Sequence, residues 1–301
     1  MMENKTDMQR RPYNRRPNQR PGQRRYSRTS NYNKPSAKRY MDINCDIGQG
    51  FGSFQNQFEE KILPYVTSVN VACGMHMGDP TGIARTIDLV KDQKVNIGAL
   101  IGYPDPVSNG QREMYYEVDE LRALVLYQLG AINALLHAKG IQLTHVRTHG
   151  FLYKQMYTDQ LITETVAKAI AEFNKWITLI GLAGSVFTRS CSNANIKMSQ
   201  EMIVDRRYRQ DGTILPFNKV TNKRNYIEDA AQRARDFLQK GTIVCEDGSK
   251  LILNATTVHI PSDSEEALEL ARMVWSMVPE PRALNTDKFK NYFADLAELR
   301  S

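Results

Sequence analysis

From Tyr40 onward, short apolar runs of strand length alternate with longer amphipathic stretches of helical length, and that alternation restricts the chain to the α/β classes. Strand-like runs fall at 40–46, 67–73, 95–99, 143–146, 177–179 and 255–258. Helical patterns fall at 81–92, 118–138, 159–173, from about 185, at 227–239 and at 263–277. The 118–138 segment is the strongest of these, with Leu121, Leu124, Val125, Leu129, Ile132, Leu135 and Leu136 on one broad face. Strands joined through helices run parallel, and this many units fit a closed or distorted barrel better than a short doubly wound sheet. Asp247-Gly248 marks a hairpin turn. The expected organisation is a tail at 1–39, a β/α barrel at 40–283, and a C-terminal helical extension at 284–301 whose helix covers 286–299.

Charge separates the tail from the body. Residues 1–40 hold 12 Lys and Arg against two acids, Glu3 and Asp7, whereas the rest of the chain holds 28 basic and 31 acidic side chains. No Leu, Ile, Val, Phe or Trp precedes Ile43, so the tail has nothing to offset the entropy of ordering and is expected to be disordered. Arginines that neutralise phosphate, with Tyr13, Tyr26 and Tyr32 for stacking, suit nucleic-acid binding through residues 10–39. A solvated leader that touches polyanions without specificity, or a transit peptide, fits the same composition. No apolar run reaches the ~18 residues of a membrane span. The four cysteines are scattered without CxxC spacing, which excludes a zinc ribbon or disulfide scaffold; they read as core residues of a cytoplasmic protein.

In parallel α/β folds the chemistry collects where strands end. Asp42, Asn44 and Asp46 share one face of the first strand, a costly arrangement inside a barrel unless they line a site or are well hydrogen-bonded. His76 and Asp79 follow the second strand, His149 follows the run at 143–146, and His259 follows that at 255–258. Asp205 and Arg206 follow the apolar stretch Met202-Ile203-Val204. On an extended strand His145 and His149 would stand about 13 Å apart, so His149 alone is expected at the rim. His137 reads as a surface residue of the long helix. A single histidine is more often structural; several histidines and aspartates at different strand ends point to a site.

The segment Asp42-Ile43-Asn44-Cys45-Asp46-Ile47-Gly48-Gln49-Gly50-Phe51-Gly52 resembles the D-L-N-x-D-L-G-E-x-x-G opening of the LamB/YcsF family, the A subunits of 5-oxoprolinase. Asn70-Val71-Ala72-Cys73-Gly74-Met75-His76-Met77-Gly78-Asp79-Pro80 is similar to that family's N-I-A-C-G-x-H-A-G-D-P. Further ordered blocks, among them His149-Gly150, Leu152-Tyr153, Asp205-Arg206-Arg207-Tyr208 and Val258-His259, extend the resemblance over residues 40–278. It implies a distorted seven-stranded, TIM-like β/α barrel of the glycoside hydrolase/deacetylase type. It also implies the ATP-dependent, Mg2+-assisted opening of 5-oxo-L-proline to L-glutamate with subunits B and C. Asp46, His76, His149, Asp205 and His259 are then the catalytic candidates, and Asn44, Asp79, Arg147, Tyr153 and Arg206 the substrate-binding ones. If a metal takes part, Asp46, His76 and His149 are the ligands by type.

The departures include Gln49 for Glu, Leu100 for the His of G-A-H-P-G-Y, Arg147-Thr148 for the Lys-Pro before His-Gly, Lys154 for Asn, Phe217 for Arg, and Pro261 where His-Gly-Asp is usual. They keep a second reading open, a catalytically degenerate scaffold or binding protein whose tail contacts nucleic acid or another polyanion. A related hydrolase acting on another amide or a sugar derivative is a third.

Overall fold

The structure, a computed structural model, describes residues 40–52, 54, 56–191, 194–216 and 223–284; the tail at 1–39 and the helix expected at 286–299 lie outside them. Seven parallel strands close a TIM-like barrel: β1 (Tyr40–Ile47), β2 (Ser68–Ala72), β3 (Asn96–Ile101), β4 (His145–Thr148), β5 (Thr178–Leu182), β6 (Lys197–Ile203) and β9 (Thr257–His259). The ring closes where β9 pairs with both β6 and β1. Two further strands, β7 (Thr242–Val244) and β8 (Lys250–Ile252), form the antiparallel hairpin signalled by Asp247-Gly248. Near the start of β1, β10 (Glu280–Pro281) pairs in parallel with it.

The helices follow the strands as the alternation predicts. They are α1 (Glu59–Ile62), α2 (Pro80–Val90), α3 (Val118–His137), α4 (Gly150–Thr158), α5 (Gln160–Asn174), α6 (Phe187–Ser190), α7 (Lys223–Lys240) and α8 (Glu265–Met277). Outward strand residues such as Ile43, Val69, Ile97, Val146, Leu179, Met202 and Val258 belong to the apolar layer between sheet and helices. That layer includes Leu121, Val125, Leu129 and Ile132 of α3, as the helical stripe requires.

Besides the short α1 and β10, two elements escape the sequence reading. The α4 helix begins one residue after β4, with no loop to announce it. The β6 strand carries Ser199 and Glu201 on its buried inner face, a composition that does not signal a strand. Its polarity is explained by the barrel interior.

Inside the barrel the inward positions are polar and mutually bonded. Asp42 accepts from Thr67 Oγ1 at 2.8 Å, Ser68 Oγ at 2.5 Å and the Thr257 hydroxyl. Asn44 donates Nδ2 to Thr257 Oγ1 at 2.7 Å and accepts from Asn70 Nδ2 at 2.9 Å. Asn70 Oδ1 lies 2.9 Å from His145 Nε2, and the other His145 nitrogen lies 2.8 Å from Thr144 Oγ1. Two of the three polar residues on β1 are thus satisfied by protein, which resolves the cost noted above.

The His145 ring lies over Gly98, where a Cβ would come within 2.2 Å of ring atoms. Gly98→Ala is therefore expected to destabilise the protein by about 1–3 kcal/mol, because a ring anchored at both nitrogens cannot step aside. The check is the urea midpoint at unchanged m-value; an unchanged midpoint would show that the ring is free to swing.

Candidate active site

Asp46 is the last inward side chain of β1, the neighbour in register of Asn70, and it stands at the centre of the strand-end cluster. Its Oδ1 accepts from Asn70 Nδ2 at 2.9 Å and its Oδ2 accepts from Arg147 Nη1 at 3.0 Å. Two imidazoles flank the same carboxylate, His149 with Nδ1 3.5 Å from Oδ2 and His259 with Nε2 3.5 Å from Oδ1. Burial works to raise the Asp46 pKa, but the Arg147 guanidinium and His259 outweigh it and hold the carboxyl well below the usual range. Asp46 is therefore a fixed anion.

Arg147 is shared. Its Nε donates to both oxygens of Glu201, at 3.0 and 3.1 Å, while its Nη1 reaches Asp46. All three side chains are buried. The guanidinium also lies 4.6 Å from the centre of the Tyr153 ring. Burial opposes the Arg147 charge, yet the two carboxylates raise its pKa further. Burial likewise pushes the Tyr153 phenol well above its ordinary value, so it stays a neutral donor.

His149 is positioned by backbone. Its N–H donates to Ile101 O at 2.8 Å, and Gly150, at φ +59°, opens α4 so tightly that a Cβ there would lie 2.1 Å from Gly110 O. The His149 Nε2, on the far side of the ring from Asp46, lies 3.5 Å from the Gln111 amide nitrogen. His76 stacks on His149, with centroids 4.8 Å apart and planes 14° from parallel. Burial, reinforced by His149, pushes the His76 pKa down to about 3, so the ring is neutral at physiological pH.

The other candidates sit apart from this cluster or serve it structurally. Asn44 lies one layer deeper, bonded within the barrel. Asp79 caps α2, accepting from the Thr81, Gly82 and Gly52 amides. Asp205 accepts from the Tyr226 hydroxyl at 3.2 Å and lies 3.8 Å from Arg206 Nε. Of the departures, Leu100 is fully buried on β3 in register with Ala72 and Arg147. The backbone N–H of Gln49 donates to Glu59 Oε1 at 3.1 Å. Ser262, just past Pro261, donates its hydroxyl to the Asp46 carbonyl.

Glu201 and Asn70 belong to the cluster and were not among the sequence candidates. Period-two polarity in Ser68-Val69-Asn70 is the signal that could have found Asn70, whereas Ser199-Gln200-Glu201 is polar throughout and gives none for Glu201. Among the described residues no group of three or more His, Cys, Asp or Glu side chains is arranged to hold a metal ion.

The buried histidines make a pH prediction. Burial lowers His145 from 6.5 to about 4 and His76 from 6.5 to about 3. The unfolded chain takes these protons first. Stability is thus complete above about pH 6.5 and drains as pH falls through the range down to the folded values, by at most about 1.4 kcal/mol per pH unit per group. Melting temperature is expected to hold from pH 8 to 7 and to fall steadily toward 4.5, less steeply in His145→Gln. Parallel profiles for the two proteins would remove His145 from the account.

No helix among the described residues is long and apolar enough to cross a membrane. The sequence matches the LamB/YcsF family over residues 41–289. It is 36% identical over 236 residues to the A subunit of 5-oxoprolinase from Bacillus thuringiensis subsp. konkukian (strain 97-27), covering 78% of this chain and 93% of that one. The A subunit of the Bacillus mycoides (strain KBAB4) 5-oxoprolinase is 35% identical with the same coverage. The fold superposes on the crystal structure of a lactam utilization protein from Thermus thermophilus with a TM-score of 0.74 and 33% identity, over 81% of this chain and 100% of that one.

Proposed function

Because the chain belongs to the LamB/YcsF family, we propose that it works as a hydrolase component of the 5-oxoprolinase type, opening the lactam of 5-oxo-L-proline to L-glutamate together with subunits B and C. The observation that carries this reading is the Asp46–His149 pair, with Nδ1 toward a fixed carboxylate and Nε2 on the side of Gln111. Nδ1–H faces the anion, so the lone pair lies on Nε2, where a water molecule takes the place of the Gln111 amide N–H in the reaction. His149 takes a proton from that water as its oxygen bonds to the lactam carbonyl carbon. It returns the proton to the ring nitrogen as the C–N bond breaks. Asp46 steadies the imidazolium between these steps, and the Tyr153 phenol donates to the developing oxyanion.

ATP with Mg2+ belongs in this proposal to the assembled complex. The Asp46 cluster does not fit a triphosphate, since its guanidinium already faces two carboxylates, and no step above runs through the nucleotide. The supporting comparisons are the relatives named as A subunits of 5-oxoprolinase.

Leu100 favours the degenerate-scaffold reading, because it places an apolar side chain in the ring of positions that includes Arg147. The two readings part in one experiment: ATP-dependent glutamate formation by the purified chain with subunits B and C, with His149→Ala as control. Glutamate that disappears in the control supports the hydrolase. A folded, complex-forming protein that makes none would overturn it in favour of the scaffold.

A further inference from the structure

We propose that the inner site receives the amide edge of a cyclic amide and excludes carboxylates, with Glu201 as the residue that sets this preference; the inference rests on the lactam reading above. It starts from fixed charge. Asp46 and Glu201 oppose a single guanidinium, Arg147, within one set of contacts of 3.0–3.1 Å. These three buried side chains sum to −1. An anion brought here would therefore meet surplus negative charge in a poorly screened setting.

Unspent hydrogen-bonding capacity is the second observation. Both nitrogens of His76 and Nδ1 of His259 are buried without a hydrogen-bond partner among the described residues. Each such group costs about 1–3 kcal/mol when left dry, so the arrangement is suited to a polar occupant. A neutral imidazole offers one donor and one acceptor. A secondary amide offers the same pair reversed, N–H and C=O, and carries no charge. A carboxylate offers acceptors alone and would leave the acceptor nitrogens unpaired. In this orientation the carboxylate of 5-oxo-L-proline points outward to the rim, toward the loop after β6 that carries Arg206.

Glu201 decides the matter because it cancels the guanidinium that would otherwise attract an anion. With Glu201 uncharged, Arg147 and Asp46 balance, and an added carboxylate no longer meets surplus negative charge.

The test is ligand binding to the full chain, monitored by NMR titration with three probes. These are 2-pyrrolidinone (ring amide, no carboxylate), cyclopentanecarboxylate (carboxylate, no amide) and 5-oxo-L-proline. The wild type is expected to bind 2-pyrrolidinone at least about tenfold more tightly than cyclopentanecarboxylate. In Glu201→Gln that preference should shrink severalfold, and in Glu201→Asp, which keeps the charge, it should persist. Equal or reversed affinities in the wild type overturn the proposal without reference to any variant. An unchanged preference in a folded Glu201→Gln protein overturns the role of Glu201. Because binding is read without turnover, glutamate formation with a reversed preference would sink this inference alone. The expected preference without glutamate formation would sink only the hydrolase reading.

Discussion

Replacing Asp46 by Asn is expected to lower kcat/KM of the assembled enzyme by about 10^2–10^4-fold while cooperative unfolding is retained. The amide oxygen of Asn can keep one of the two bonds that Oδ1 and Oδ2 accept from Asn70 and Arg147, and Arg147 keeps Glu201 as its counter-charge, so no buried cation is stranded. What the substitution removes is the negative charge 3.5 Å from His149 Nδ1. Without it the imidazolium formed on proton transfer loses its electrostatic partner, and the tautomer that leaves Nε2 free is no longer enforced. The measurement is steady-state glutamate formation beside a thermal melt. A loss smaller than tenfold in a folded protein would move the proton chemistry away from the Asp46–His149 pair.

The largest expected effect on stability comes from Arg147→Met. Removing the guanidinium leaves two buried carboxylates, Asp46 and Glu201, facing each other without compensation, which should cost about 3–5 kcal/mol. The penalty belongs to stranded charge rather than to lost packing, and this separates it from an ordinary core defect. Arg147→Met combined with Glu201→Gln should therefore recover part of the loss. The pH dependence has a definite sign. With Arg147 present, Asp46 has a depressed pKa, so its contribution to stability is full above the unfolded carboxylate value and is lost as pH falls through the lower folded value. Without Arg147, burial raises the Asp46 pKa, so the deficit should shrink on acidification as that carboxylate takes up a proton. Urea unfolding of the three proteins at pH 7.5 and 5 measures both effects. A deficit independent of pH, and not relieved by Glu201→Gln, would show that Arg147 acts through packing alone.

Much of the fold was legible because most of its strands and helices announce themselves locally. The stripe of Leu121, Val125, Leu129 and Ile132 marked α3, and Asp247-Gly248 marked the β7–β8 hairpin. Strand-end position alone brought Asp46, His149 and His259 forward, and these three meet in the structure. His145 was expected to stay off the rim, and it lies buried against Asn70. The α4 helix and β6 were not legible. Helix α4 starts directly after His149, and β6 directs Ser199 and Glu201 inward, so neither shows the usual boundary or apolar pattern.

Periodicity and residue type were thus enough for the α/β barrel, the place of its rim and the histidines and aspartate found there, because burial imposes its spacing on neighbouring residues along the chain. The pairing of charges was a different matter. Arg147 meets Glu201 across a separation of 54 residues and Asp46 across one of 101. Which of these carboxylates it would meet, and that it would meet both, depends on strand register around a closed ring. A one-residue slip in register would turn a side chain to the opposite face. That register comes from the packing of the whole barrel, and no local stretch of the chain encodes it.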